Sequence, residues 1–149
     1  MPISDAPFVF DPADEVHARA LTRLDSEQIG WLATTGRDGY PHAVPIWFLW
    51  RDGRALIFSE PATAKVRNIR HDPRVAFHLE AGDDHEQLTV LRGSAELSAQ
   101  PTIEWLESVG EDYARKYRSG LAGLNLTLPQ MAARYSVVIE ITPRQLISW

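Results

Sequence analysis

The stretch from Ser59 to Lys65 carries side chains that could bind an anion. Ser59 and Thr63 have hydroxyl groups, and Lys65 adds a positive charge where an apolar strand pattern gives way to a helical one. Because the first N–H groups of a helix have no carbonyl partners within it, this combination suits a phosphate group. A second interpretation stays open, in which Thr63 is only an N-cap residue and the basic side chains that follow it face solvent. No glycine-rich loop decides between the two.

The composition restricts the partners. The 149 residues carry a net charge of −5, which argues against a nucleic-acid surface and makes any anion site a local one. The absence of cysteine excludes disulfides and thiolate metal sites. No apolar run reaches the length of a membrane span, and residues 1–14 lack a signal-peptide pattern. We therefore expect a cytoplasmic protein without membrane or nucleic-acid partners.

Hydrophobic periodicity predicts a mainly β protein with short helices. Six strands joined largely by Asp-Gly turns and short helices favour a closed antiparallel barrel over a doubly wound parallel sheet. We expect one domain over residues 1–149, with 1–14 as a flexible or extended arm. The predicted strands are 29–35, 42–51, 55–59, 75–80, 88–95 and 137–141; the predicted helices are 15–25, 61–71 and 102–118; the segment 119–129 is predicted to be a loop.

Two elements carry more detailed expectations. Residues 44–50 are apolar on both sides of the pleat, so one face should meet the core and the other a ligand or a second subunit. Pro45 cannot donate to a strand ladder and should lie at an edge or a bulge. The core stripe expected for the helix 102–118 consists of Ile103, Leu106, Val109 and Tyr113.

Other chemistry-bearing residues do not form a recognisable motif. Four histidines lie between residues 42 and 85, but no two have the i, i+4 spacing of a helical zinc motif, so we predict no metal site. His78 is expected to be a half-buried strand residue with a satisfied hydrogen bond. Four tyrosines could donate a proton, and the sequence selects none of them: Tyr40, Tyr113, Tyr117 and Tyr135.

A series of short motifs in a fixed order resembles a known family. The motifs are Ala33-Thr34, Gly36-Arg37-Asp38-Gly39, Pro45-Ile46-Trp47-Phe48, Thr63-Ala64-Lys65-Val66-Arg67-Asn68, Asp72-Pro73-Arg74 and Leu91-Arg92-Gly93-Ser94-Ala95. Together they resemble the pyridoxamine-phosphate-oxidase-like, flavin-binding split barrels. The short chain and the Lys65 and Asn68 pair look most like the actinobacterial oxidoreductases that use the deazaflavin coenzyme F-420. The resemblance implies a six-stranded antiparallel split β-barrel that forms a homodimer with the cofactor at the subunit interface.

The resemblance also implies a site in two parts. Ser59, Thr63 and Lys65 would contact the cofactor phosphate, with Asn68 in support, and the strand 44–47 would lie along the ring system. Gln87 would reach the cofactor from the neighbouring subunit. The implied cofactor-binding residues are Val44, Pro45, Ile46, Trp47, Phe58, Ser59, Thr63, Lys65, Asn68 and Gln87.

The implied function is hydride transfer between bound coenzyme F-420 and a small unsaturated organic substrate. The cofactor carries the hydride chemistry in such enzymes, so no acid or base residue is obligatory. Two alternatives stay open: an FMN-dependent oxidoreductase or flavin-binding protein of the same fold, and a non-enzymatic carrier of a tetrapyrrole or the coenzyme. Formation of pyridoxal phosphate is not expected, because residues 43–49 are apolar where those oxidases carry an arginine and a lysine.

Overall fold

The computed structural model describes residues 2–149, which form seven strands and five helices. Met1, which begins the predicted N-terminal arm, lies outside the described residues. Within residues 2–149, no helix is long and apolar enough to cross a membrane. The elements are α1 (Glu15–Ser26), β1 (Ile29–Thr35), β2 (Pro41–Trp47), β3 (Leu49–Arg51), β4 (Arg54–Ser59), α2 (Ala64–His71), β5 (Arg74–Leu79), β6 (Thr89–Leu97), α3 (Thr102–Lys116), α4 (Arg118–Gly123), α5 (Leu128–Arg134) and β7 (Val137–Ser148).

The strands form one antiparallel sheet in the order β2-β1-β5-β6-β7-β4-β3. The strands at its two edges, β2 and β3, are consecutive in the chain and separated only by Phe48. The sheet therefore curls until its edges come together at this residue, and the result is a split half-barrel. The mainly β architecture with short helices is confirmed. The strand count is seven instead of six, because the single strand predicted over 42–51 breaks at Phe48 and its halves pair with different neighbours.

Side chains from the end of α3 stabilise the break at Phe48. The Phe48 N–H donates to the Tyr117 hydroxyl at 2.8 Å, and the Phe48 carbonyl accepts from Lys116 Nζ at 2.8 Å. The same hydroxyl lies 2.6 Å from the Gln28 carbonyl oxygen and 2.7 Å from that of Phe48. Buried backbone groups need hydrogen-bond partners, and here side chains replace the strand ladder.

Replacing Tyr117 with phenylalanine is expected to lower the free energy of unfolding by about 1–3 kcal/mol, because the buried Phe48 N–H loses its partner. Urea denaturation followed by circular dichroism measures the change. Tyr40→Phe is the matched control, since the Tyr40 side chain is 74% exposed and should tolerate the same deletion. Equal midpoints for the two variants would contradict the role of Tyr117 at the break.

Strand β4 is buried on both faces and separates two apolar layers. Ala55 and Ile57 face the interior of the barrel, whereas Leu56 packs on the other side with Tyr113 and Met131. The helices α3, α4 and α5 therefore cover the outside of β4. The largest buried side chains of the barrel interior are Phe48, Phe77, Leu24, Leu32, Ile57, Leu91, Ile139 and Ile141.

The prediction of a loop over 119–129 is wrong, because α4 and the start of α5 occupy most of this segment. Its glycines suggested a loop, yet Thr127 and Gln130 form a reciprocal capping box that begins α5, with a proline in its first turn. The predicted stripe on α3 is wrong at one position. Ile103 is 52% exposed, while Val109 and Tyr113 are buried as expected.

Prolines have two different consequences in the sheet. Pro45 lies in the edge strand β2, as predicted. Strand β7 continues through Pro143 to Ser148, whereas the prediction ended it at residue 141. A register shift between Arg92 and Gly93 of β6 accommodates this proline, in keeping with the restriction of strand prolines to edges and bulges.

Candidate cofactor site

A cavity of about 370 Å³ lies where β2, β4, the start of α2 and the helices α3 and α5 meet. Its walls combine apolar and aromatic side chains with a small number of polar groups, which is the usual character of a small-molecule site. The cavity brings together six of the ten residues implied by the sequence. The lining residues are Pro45, Ile46, Trp47, Phe58, Glu60, Thr63, Lys65, Tyr113, Leu124, Met131 and Tyr135.

Thr63, at the start of α2, lines the cavity, and Ser59 lies directly behind it. Ser59 is almost fully buried, and its Oγ lies 3.1 Å from Thr63 Oγ1 and donates to the Glu60 carbonyl at 2.8 Å. Thr63 occupies the N-cap position of α2, but its side chain makes no capping hydrogen bond. The N–H groups of the first turn of α2 therefore have no side-chain cap and can receive an anion.

Lys65 places an unpaired cation beside these groups. It lines the cavity and is half-buried, and it makes no ion pair or hydrogen bond with any residue of the described range 2–149. Burial lowers the pKa of Lys65, while the negative charge of Glu60 partly opposes that shift. A lysine in this state is stabilised by an incoming anion, which restores the favourable interactions that its charge lost on burial.

Glu60 contributes a carboxylate to the cavity wall, and Arg134 binds that carboxylate from outside the wall. Its Oε1 accepts from Arg134 Nε at 2.7 Å, and this ion pair joins the β4–α2 connection to α5. The Arg134 guanidinium also lies over the Tyr135 ring, 5.3 Å from its centroid.

Trp47 forms a rigid aromatic wall. Its ring stacks on Tyr117 with a centroid distance of 4.5 Å and an interplanar angle of 5°. Gly120 of α4 lies against the ring edge, where a Cβ atom would come within 2.5 Å of two Trp47 ring atoms. The ring is therefore held by Tyr117, which joins α3 to α4, and by Gly120 of α4, while it also lines the cavity.

The structure singles out two of the four tyrosines. Tyr113 and Tyr135 line the cavity, and Tyr113 is 3% exposed and packs 4.7 Å from the Phe58 ring. Burial raises the pKa of Tyr113, so its hydroxyl stays protonated and acts as a hydrogen-bond donor. The sequence did not select these tyrosines, because the helices that carry them pack on the barrel through residues that are far apart in the sequence.

Four of the implied residues lie outside the cavity wall. Ser59 lies behind it, bonded to Thr63, and Val44 pairs with Leu32 of β1. Asn68 Nδ2 donates to Thr34 Oγ1 at 3.0 Å and so ties α2 to β1 instead of facing the cavity. Gln87 lies in the β5–β6 connection. A contact from Gln87 to a cofactor in a neighbouring subunit stays a prediction.

Sequence reasoning did not assign five of the lining residues. Glu60, Tyr113, Leu124, Met131 and Tyr135 come from the strand-to-helix connection and from the α3–α5 region. The capping box that begins α5 was a local signal for the position of Met131. No local signal indicates that these helices pack against β4.

No histidine of the described residues lines the cavity. His78 is half-buried, its Nδ1 lies 3.0 Å from the Leu79 carbonyl oxygen, and its ring stacks on Trp31, as expected for a satisfied strand residue. Across residues 2–149 the structure contains no group of three or more histidine, aspartate, glutamate or cysteine side chains that could hold a metal ion.

The curled sheet and the cavity beside the start of α2 define a split β-barrel protein. The family model described as pyridoxamine 5'-phosphate oxidase matches residues 16–149, and the chain belongs to this family.

Solved structures of known proteins are similar to this chain over most of its length. A conserved hypothetical protein of Mycobacterium tuberculosis is 29% identical, with a TM-score of 0.74 over 97% of this chain and 89% of the other. An F420 reductase is 23% identical, with a TM-score of 0.66 over 85% and 94% of the two chains. The haem storage protein HutZ of Vibrio cholerae is 12% identical, with a TM-score of 0.66 over 87% and 92%. The last two likenesses show the fold alone.

Proposed function

We propose that the cavity binds the deazaflavin coenzyme F-420 and that the protein is an oxidoreductase which transfers a hydride between this coenzyme and a small unsaturated organic substrate. The unpaired Lys65 beside an uncapped helix start carries the proposal. Similarity to an F420 reductase supports the choice of coenzyme.

The residues present fit a planar cofactor that bears a phosphate. The Thr63 hydroxyl, Lys65 and the first N–H groups of α2 suit the phosphate, with Ser59 supporting Thr63 from behind the wall, and the apolar wall with Trp47 suits a ring system. The hydride chemistry is supplied by the bound cofactor. The chain then has to bind and orient the cofactor and exclude water.

Tyr113 would hold a proton in the wall of the cavity. Its hydroxyl is neutral near pH 7, as in any tyrosine, and burial raises its pKa further; it makes no hydrogen bond with another residue in the range 2–149. A neutral donor at this position can bind a carbonyl or nitro oxygen of a substrate without adding charge to the site.

We also propose that the protein acts as a homodimer. A second copy that presented Gln87 to the cavity would complete the shared site. A monomeric mass in solution at micromolar concentration, measured by light scattering, would contradict the shared site.

The residues of the cavity also bear on the two alternative functions. FMN also combines a ring with a phosphate, so an FMN-dependent enzyme or flavin-binding protein of this fold is the nearest rival. No histidine of the described residues lines the cavity, so a bound tetrapyrrole would have to take its axial ligand from Tyr113, Met131 or Tyr135.

Parallel titration of the purified protein with coenzyme F-420, FMN and haem tests the assignment. We expect coenzyme F-420 to bind at least about tenfold more tightly than FMN, and the reduced coenzyme to be oxidised when α,β-unsaturated carbonyl compounds are added. Copurification of a yellow flavin would favour the FMN alternative. Tight haem binding without turnover of either coenzyme would favour a carrier.

A further inference from the structure

We propose that Arg134 is a positioning residue which binds Glu60 and thereby keeps Lys65 free for the anionic group of the ligand. The inference rests on the proposed function, because it concerns how the charges at the same anion site are kept available for the ligand. Arg134 acts through Glu60 and need not touch the ligand.

Two opposite charges face the cavity, and only one of them has a partner. Glu60 and Lys65 both line it, and Glu60 influences the Lys65 pKa electrostatically. They do not form an ion pair with each other, because the Glu60 carboxylate is bound to Arg134 at 2.7 Å. The cavity therefore presents an available cation next to a carboxylate that is already neutralised.

The position of Arg134 follows from α5. The Thr127 and Gln130 capping box begins this helix, and buried Met131 anchors it on the layer over β4. Arg134 lies in the last turn, with its guanidinium over the Tyr135 ring. These contacts direct it toward Glu60 from outside the cavity wall, where it is not among the lining residues.

Removal of Arg134 leaves the Glu60 carboxylate without its ion-pair partner. A free carboxylate beside Lys65 attracts this lysine and repels an incoming anion, so both effects weaken binding of a phosphate. The ion pair itself is partly exposed and contributes little to stability, as surface pairs generally do. A change in anion affinity without a change in stability therefore distinguishes this role from a structural one.

The test uses the full chain as Arg134→Ala, Glu60→Gln and the double variant. The probes are coenzyme F-420 and its phosphate-free deazaflavin nucleoside, which share the ring, and binding is followed by deazaflavin fluorescence. Arg134→Ala should weaken coenzyme binding by about five- to tenfold and change nucleoside binding by less than about twofold. Adding Glu60→Gln should restore coenzyme binding to within about twofold of the parent, because the competing charge is gone.

Each other outcome overturns the inference. A double variant as weak as Arg134→Ala means that Arg134 contacts the ligand directly. Equal weakening for both probes, or a lowered melting temperature with both affinities reduced, assigns Arg134 a structural role. If the parent prefers the coenzyme and Arg134→Ala does not change that preference, this inference fails and the proposed function stands. If the parent does not prefer the coenzyme over the nucleoside, the anion site and the proposed function fail with it.

Discussion

The Lys65→Ala variant is expected to bind coenzyme F-420 about 10- to 100-fold more weakly than the parent, which corresponds to about 1.5–3 kcal/mol for a hydrogen bond to a charged group. Lys65 is the half-buried cation of the cavity, and the nearby hydroxyls of Ser59 and Thr63 carry no charge. An anion at the start of α2 would therefore lose its principal electrostatic partner. Fluorescence titration with the reduced and oxidised coenzyme measures the loss.

Arg70→Ala is the matched control for Lys65. It removes the same charge from the same helix, but Arg70 is exposed and does not line the cavity. Its expected effect on coenzyme binding is less than about twofold, because exposed charges are screened by solvent and salt. Equal affinities for Lys65→Ala and the parent would remove Lys65 from the site. Equal weakening in both variants would indicate a general charge effect instead of a local contact.

The Gly120→Ala variant is expected to lose both stability and ring binding. The added Cβ would lie 2.5 Å from two atoms of the Trp47 ring, which Tyr117 already confines on one face. Overpacking of this kind costs about 1–3 kcal/mol of the free energy of unfolding. Displacement of the Trp47 ring changes the shape of the cavity wall, so we expect coenzyme and phosphate-free nucleoside to bind more weakly by a similar factor.

Gly123→Ala provides the control within the same helix. A Cβ at Gly123 would have no heavy atom within 4 Å, so its expected effect on stability is within about 0.5 kcal/mol and its effect on binding is negligible. Thermal denaturation and fluorescence titration of the two variants give the comparison. If Gly120→Ala kept the stability and both affinities of the parent, Trp47 would not be a confined wall of the cavity.

Local patterns determined much of the barrel and one half of the site. The strand predicted over 29–35 coincides with β1, and the helix predicted over 61–71 contains α2, because apolar periodicity and turn residues act within a few positions. The same locality placed Thr63 and Lys65 together at the start of a helix. These features depend on neighbours in sequence, which is why they could be predicted.

Long-range contacts decided the rest. The strand over 42–51 breaks because Tyr117 and Lys116, about 70 positions later in the chain, bind the backbone of Phe48. The hydrophobic periodicity of residues 42–51 does not indicate those partners, so it could not predict the break. The pairing of Glu60 with Arg134 also joins residues 74 positions apart.

The sequence by itself therefore determined the mainly β fold, the helix start with its hydroxyls and Lys65, and the resemblance to flavin-binding split barrels. The tertiary structure decided which side chains complete the cavity and which charge stays available within it. Docking of α3 and α5 on β4 adds Tyr113 and Tyr135, and the Arg134 contact neutralises Glu60. Packing between distant segments depends on the summed burial of many side chains, and no short pattern in the sequence records that sum.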